Sequence, residues 1–124
     1  FKCSKEQEFV VGGYTDPQGS RVGFGALLVG YYDDAGDLHY AGKVGTGYNA
    51  VLLQTLTAKL ERLAQDVPPF EGKPPMRKGV HWVKPHLVVQ VGFAEWTRDG
   101  RLRHPRFIGI RDDKKPRDVV RESG

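Results

Sequence analysis

The apolar residues of this chain change their spacing twice, from a period of two to the 3.6 of a helix and back. That double switch restricts the fold more than any one residue does. Residues 8–15 and 22–32 are rich in Val, Phe, Tyr, Leu and Gly, and Asp16-Pro17-Gln18-Gly19-Ser20 separates them, which reads as strand, turn, strand. A second turn at 33–37 leads into 38–45, where Leu38, Tyr40 and Val44 fall on one face and His39, Ala41 and Lys43 on the other. A meander of three antiparallel strands is expected. Glycines at 23, 25, 30 and 42 interrupt these patterns, and inside a strand a glycine weakens pairing unless the sheet bends sharply or another backbone comes close. Strong curvature, as in a small closed barrel, accounts for them.

After Asn49, a residue suited to cap a helix, Leu52, Leu53, Leu56, Leu60 and Leu63 recur at helical spacing, with Lys59, Arg62 and Gln65 elsewhere on the surface. Residues 66–81 read as a long Pro-rich loop, a kind of connection that in a compact domain is often functional. Alternation resumes over 87–96, with Leu87, Val89, Val91 and Phe93 on one face, and Arg98-Asp99-Gly100 turns the chain into 102–110. Three strands, a helix and a hairpin is the element order of the oligonucleotide-binding barrel. The expected fold is mainly all-β, a five-stranded Greek-key barrel with one amphipathic helix between strands three and four.

The 124 residues suffice for one domain, 1–124, and not for two. The formal charge of +4 sets 19 basic against 15 acidic residues, a mild bias compatible with a polyanionic partner. No run approaches the roughly 18 apolar residues of a membrane span. The single Cys3 excludes an internal disulfide and a cysteine-rich zinc site, which fits a reducing cytoplasm. A start at Phe1-Lys2-Cys3, with neither an initiator Met nor a signal-peptide pattern, reads as a domain cut from a larger soluble protein.

Chemistry concentrates at the far end, where Arg111, Asp113 and Lys114 follow directly behind an apolar strand-like segment. Two cations and a carboxylate on one short loop suit a polyphosphate, since guanidinium and ammonium neutralise phosphate oxygens while the carboxylate orients the lysine. A solvated charged tail has the same composition. The histidines at 39, 81, 86 and 104 lack metal-ligand spacing, so no metal site is expected, and Gly45-Thr46-Gly47 is too short for a nucleotide loop. Alternation would set Arg101 and Arg103 side by side, either gripping an anion or guarding an exposed edge strand. Trp82 and Trp96 sit in apolar contexts that favour core packing over base stacking.

A set of short runs then carries a resemblance: Lys2-Cys3, QEFVVGGYT at 7–15, GKVGTG at 42–47, WVKP at 82–85, FAEW at 93–96 and LRHP at 102–105. In combination these resemble the C-terminal oligonucleotide-binding domain of bacterial ATP-dependent DNA ligases, closest to the ligase module of the end-joining ligase D proteins. The likeness runs over essentially the whole chain. Arg111-x-Asp113-Lys114 is similar to the last nucleotidyltransferase motif of that family, and Lys2 to the second lysine of its junction motif.

The resemblance implies nick sealing in duplex DNA in three steps. A lysine takes AMP from ATP, the AMP passes to a 5′-phosphate, and a 3′-hydroxyl displaces it. That lysine is absent from the chain, so the fragment alone is expected to be inactive. Arg111, Asp113, Lys114 and Lys2 are implied to orient the ATP phosphates, with a divalent metal, Mg or Mn, held by the parent enzyme. Arg21, Lys43, Lys84 and Arg103 are the expected contacts to nicked duplex DNA, mostly through phosphates. Residues 1–6 form the junction, with a hinge at Ser4 and Lys5, and 107–124 the terminal motif and tail. The implied setting is a bacterial cytoplasmic, nucleoid-associated monomer whose preceding nucleotidyltransferase domain lies in the same polypeptide. A capping-type nucleotidyltransferase shares the barrel and a similar terminal motif, but the runs at 7–15 and 82–85 favour the ligase. Two other readings are a free-standing nucleic-acid-binding module and a protein-docking module built on Pro68-Pro69-Phe70.

Overall fold

A computed structural model of the chain describes residues 5–16, 23–70, 79–98, 100–111 and 115. The elements run β1 (Lys5–Thr15), β2 (Leu27–Tyr32), β3 (Leu38–Val44), α1 (Ala50–Arg62), β4 (Ala64–Gln65), β5 (Val80–Phe93), β6 (Glu95–Trp96), β7 (Leu102–Arg103) and β8 (Arg106–Ile110). This is the expected order of three strands, a helix and a hairpin, except that the hairpin arms are subdivided and a short strand, β4, follows the helix: α1 ends at Arg62 with Leu63 as its cap, so Gln65, expected on the helix surface, pairs with Trp82 instead.

All pairings in the main sheet are antiparallel, in the order β3-β2-β1-β5, with the far edge of β5 shared between β4 and β8. The ladder does not close into a continuous barrel. Its ends meet at one backbone bond, Phe107 N–H to Thr46 O at 2.9 Å, and through Tyr48 against Phe107 at 5.0 Å between ring centroids. The domain is thus mainly β, of the oligonucleotide-binding type, with its seam joined largely by side chains.

Helix α1 begins where the sequence places it: the Asn49 side chain accepts from Leu52 N–H at 2.8 Å. Leu56 and Leu60 are fully buried, and with Phe9, Val11, Val29, Val44, Val89 and Phe93 they form the core on the inner sheet face. Trp96 packs on Phe9 and Phe93 at 5.8 and 5.4 Å, which makes it a core residue.

Strand β5 starts at Val80, well before the expected 87 and inside the stretch read as loop. Alternation is hidden there because Val11 pairs with Leu87 while Gly13 pairs with Trp82, so β5 carries extra residues opposite Gly12. Pro85 lies in that bulge, where its missing N–H costs no ladder bond. The 102–110 arm is likewise broken, at His104, which takes a left-handed φ of 53° before Pro105.

On the outer face a second apolar cluster gathers Val10, Leu28, Tyr32, Leu38 and Val88 under Phe70, which is only 5% exposed. The 66–70 end of the Pro-rich segment is therefore a strap over the sheet. Gly12 makes room for it, since a Cβ there would stand 2.5 Å from the Phe70 ring; at Gly30 a Cβ would meet the His39 carbonyl oxygen first and the Phe70 ring at 2.7 Å. Close approach, more than curvature, accounts for Gly30. With its aromatic ring buried, Pro68-Pro69-Phe70 does not offer the docking segment considered from sequence.

Candidate functional site

The outer face changes character along β1. Alternation puts Glu6, Glu8 and Val10 on that face, and their exposure falls in that order from exposed through half-buried to buried. On β5, Val88 belongs to the outer cluster and Gln90 follows two residues on, directly opposite Glu8 in the ladder. One end of the face is apolar and covered by Phe70. The other end, beside the first residues of the domain, is polar.

Arg111 lies across this polar end. Ile110 is the last paired residue of β8, and the Arg111 N–H extends the pairing by one bond, 2.9 Å to Val88 O. From that anchor the side chain crosses β5. Nη1 donates to Gln90 Oε1 at 2.9 Å and to Glu8 Oε2 at 3.1 Å. The Gln90 amide is itself oriented, because its Nε2 donates to Glu6 Oε1 at 2.9 Å. A line of four side chains, Glu6, Gln90, Arg111 and Glu8, thus ties the end of the last strand to the first. The Arg111 side chain remains 34% exposed and Glu8 17%, so the guanidinium is held in place yet reachable from solvent.

The other expected site residues divide by face. Lys43 pairs with Leu28 of the outer cluster and is exposed; Lys84 is two residues beyond Trp82 of that cluster and also exposed. Both sit toward the end of the sheet where Gly13 meets Trp82 and Leu28, away from the Glu8 and Gln90 pair. Arg103 lies instead on the small β6-β7 ribbon, where Nε pairs with Glu95 Oε2 at 3.0 Å. Lys5 opens β1 and pairs with Phe93. Lys2, Ser4, Arg21, Asp113 and Lys114 lie outside the described residues.

Arg101 and Arg103 do not act as a pair. Arg101 ends a turn, with its N–H bonded to Thr97 Oγ1, and its guanidinium donates to Tyr40 O at 3.0 Å and lies over the Tyr40 ring. Burial raises the Tyr40 phenol above its ordinary 10.0, and the Arg101 charge opposes that rise. Glu95 takes Arg103, so the two arginines answer to different partners.

Glu8 and Gln90 were not singled out from sequence. The signal was available, since Gln90 is the one polar residue in the apolar run 87–93, and Glu6 and Glu8 alternate into an apolar strand. Among the described residues, no three His, Cys, Asp or Glu side chains gather as a metal site would require. No helix among them is long and apolar enough to cross a membrane.

Comparison with known proteins gives this geometry its context. Residues 20–114 match the family model described as the ATP dependent DNA ligase C terminal region. The chain is 45% identical to the multifunctional non-homologous end joining protein LigD of Pseudomonas aeruginosa over 126 residues, covering 98% of this chain and 15% of that protein. Its fold matches the ligase domain of Mycobacterium tuberculosis LigD with a TM-score of 0.90 at 45% identity, covering 98% of this chain and 40% of that one. A mycobacterial DNA ligase D complexed with ATP and MES matches at a TM-score of 0.84 and 43% identity, covering 95% and 38%. This chain thus spans a small part of the length of such relatives. It belongs to the family of ATP-dependent DNA ligase C-terminal regions.

Proposed function

We propose that this domain serves an ATP-dependent DNA ligase that seals nicks in duplex DNA during bacterial end joining, and that it is inactive without its nucleotidyltransferase neighbour. The observation that carries the reading is Arg111, a guanidinium one-third exposed and anchored at the end of β8, across β5 from β1, the strand that continues from the junction. A fixed, accessible guanidinium fits a polyphosphate. In this reading Arg111, with Asp113, Lys114 and Lys2, binds and orients the pyrophosphate of ATP while a lysine outside the chain attacks the α-phosphorus. The new bond is lysine nitrogen to phosphorus, and the bond that breaks is the one to pyrophosphate. A divalent ion held by the neighbouring domain would offset phosphate charge. Phosphoryl transfer asks mainly for positioning and electrostatics, and these groups supply both.

The same domain then turns its basic side chains to DNA. Lys43 and Lys84 contact phosphates from the outer face, Arg21 assists, and Arg103 contributes from the ribbon. The pivot is Ser4–Lys5, with Lys5 as the residue that opens the ladder against Phe93. The enzyme works as a monomer on nucleoid DNA in the cytoplasm. Contacts of this kind give affinity without sequence preference, as sealing of arbitrary ends requires.

The test is a titration of a fluorescent nicked duplex with the parent ligase at several salt concentrations, alongside formation of the enzyme–AMP adduct. Lys43→Ala should flatten the salt slope by about one and leave sequence preference unchanged. Arg111→Ala should suppress adduct formation. Normal adduct formation in Arg111→Ala would overturn the nucleotide role, and an unchanged slope in Lys43→Ala the DNA role of that residue.

A further inference from the structure

We infer that Glu8, together with Gln90, is a positioning residue that sets the Arg111 guanidinium for the nucleotide phosphates. The inference rests on the reading of Arg111 given above and adds to it the device that aims the side chain. An arginine has four rotatable side-chain bonds and loses rotamer freedom when its head is fixed, so a guanidinium at the end of a strand is a poor phosphate ligand unless something has already ordered it. Here two acceptors meet a single nitrogen: Glu8 Oε2 at 3.1 Å and Gln90 Oε1 at 2.9 Å both receive Nη1. Both come from paired strands, facing each other in the ladder, so their separation is fixed by backbone hydrogen bonds and not by loop geometry.

Turned over, the amide of Gln90 would set its NH2 against the guanidinium, donor against donor, and Glu6 guards against this by accepting from Nε2 at 2.9 Å. Glu6 thereby selects the orientation that offers an oxygen to the guanidinium. Glu8 is the less exposed member of the ion pair, at 17% against 34%. The carboxylate is therefore the seated partner and the guanidinium the presented one, as positioning requires. A surface ion pair formed by chance would show neither the oriented amide nor the two-strand support.

The test uses the ligase that carries this domain, as wild type and as Glu8→Ala, Glu8→Gln, Gln90→Leu and Arg111→Ala. Two reactions are followed separately: transfer of AMP from ATP to the enzyme under single turnover across ATP concentrations, and sealing of a nick that already carries AMP on its 5′-phosphate. Glu8→Ala should lower kcat/KM of the first reaction about tenfold, a misplacement effect. The second reaction and the melting temperature should stay close to wild type. Glu8→Gln keeps an acceptor oxygen and should recover most of the loss, while Gln90→Leu should resemble Glu8→Ala. If Arg111→Ala is impaired but Glu8→Ala and Gln90→Leu match wild type, positioning is wrong and the role of Arg111 survives. If Arg111→Ala itself adenylates normally, the reading beneath the inference falls. A faster first reaction in Glu8→Ala would mean that Glu8 restrains Arg111, and equal loss in both reactions would mean damage to the fold; either overturns the inference.

Discussion

The two ends of the outer sheet face are built from the same two strands and are ordered by opposite means. At one end Val10 of β1 and Val88 of β5 lie beneath the Phe70 strap, and volume exclusion fixes every side chain. At the other, Glu8 and Gln90, each two residues further along its strand, hold Arg111 through hydrogen bonds and stay partly wet. Burial rewards the first arrangement with stability and makes it unresponsive. The second stabilises little, because ion-pair attraction in water is nearly offset by desolvation and ordering, yet it keeps a cation fixed and available. Adjacent positions on one pair of strands thus carry an apolar cover and a hydrogen-bonded cation side by side, and in the proposed reading only the second serves the reaction.

If that division is correct, the ends should fail independently. Phe70→Ala empties the space over Val10 and Val88 and should cost about 3–4 kcal/mol in a denaturant melt, with adenylation per folded molecule unchanged. Gly12→Val approaches the same site from below. The Phe70 ring stands 2.5 Å and Pro69 Cγ 2.9 Å from the position of a Cβ there, so the strap must lift, at about 2 kcal/mol. Phe70→Ala combined with Gly12→Val should then cost less than the sum, since the ring that clashes is gone. Arg111→Ala should show the reverse pattern, with a large loss of adenylation and a stability change of only about 0.5 kcal/mol, the guanidinium being a third exposed to screening solvent. A melt in which Arg111→Ala cost as much as Phe70→Ala would erase the distinction.

Much of the inner core was legible in the sequence, and little of the outer face was. Leucines at 52, 53, 56, 60 and 63 behind Asn49 specify α1 through local spacing, and the strand order follows from alternation and turns. Phe70 was misread because a Pro-rich segment signals only irregular backbone, whereas its burial depends on Gly12 and Gly30, which are far away in sequence. Strand β5 was cut short because Pro85 and the bulge opposite Gly12 destroy the period that identifies a strand. The terminal motif singles out Arg111, but the side chain it meets, Glu8, is 103 positions distant, and no local rule pairs them. What the sequence does contain is the anomaly of Gln90 inside an apolar run, and a polar residue at such a place must satisfy its hydrogen bonds somewhere.

The smallest expected effect concerns the turn between β2 and β3, whose flanking Tyr32 and Leu38 join the Phe70 cluster and which carries a carboxylate–imidazole contact of its own. Asp33 Oδ2 meets His39 Nε2 at 2.5 Å, and Oδ1 accepts from the N–H groups of Asp37 and Ala35 at 2.9 Å each. The His39 bond, and then the bonds from the backbone, hold the Asp33 carboxyl below its ordinary 3.8. A carboxylate whose folded value lies below its unfolded one binds protons more readily when unfolded. Its contribution is therefore complete above pH 3.8 and disappears as pH falls through the lower folded value. Asp33→Asn should accordingly be slightly less stable than wild type at pH 7, with the gap closing below pH 3.8 in urea melts taken stepwise across that range. Because Tyr31 stacks on His39 at 5.7 Å and the flanking Tyr32 and Leu38 belong to the Phe70 cluster, the loss should appear as fraying of this hairpin in amide exchange while the Arg111 end keeps its protection. If exchange accelerated equally at both ends, the face would be one cooperative unit, and the independence of its two halves would be disproved.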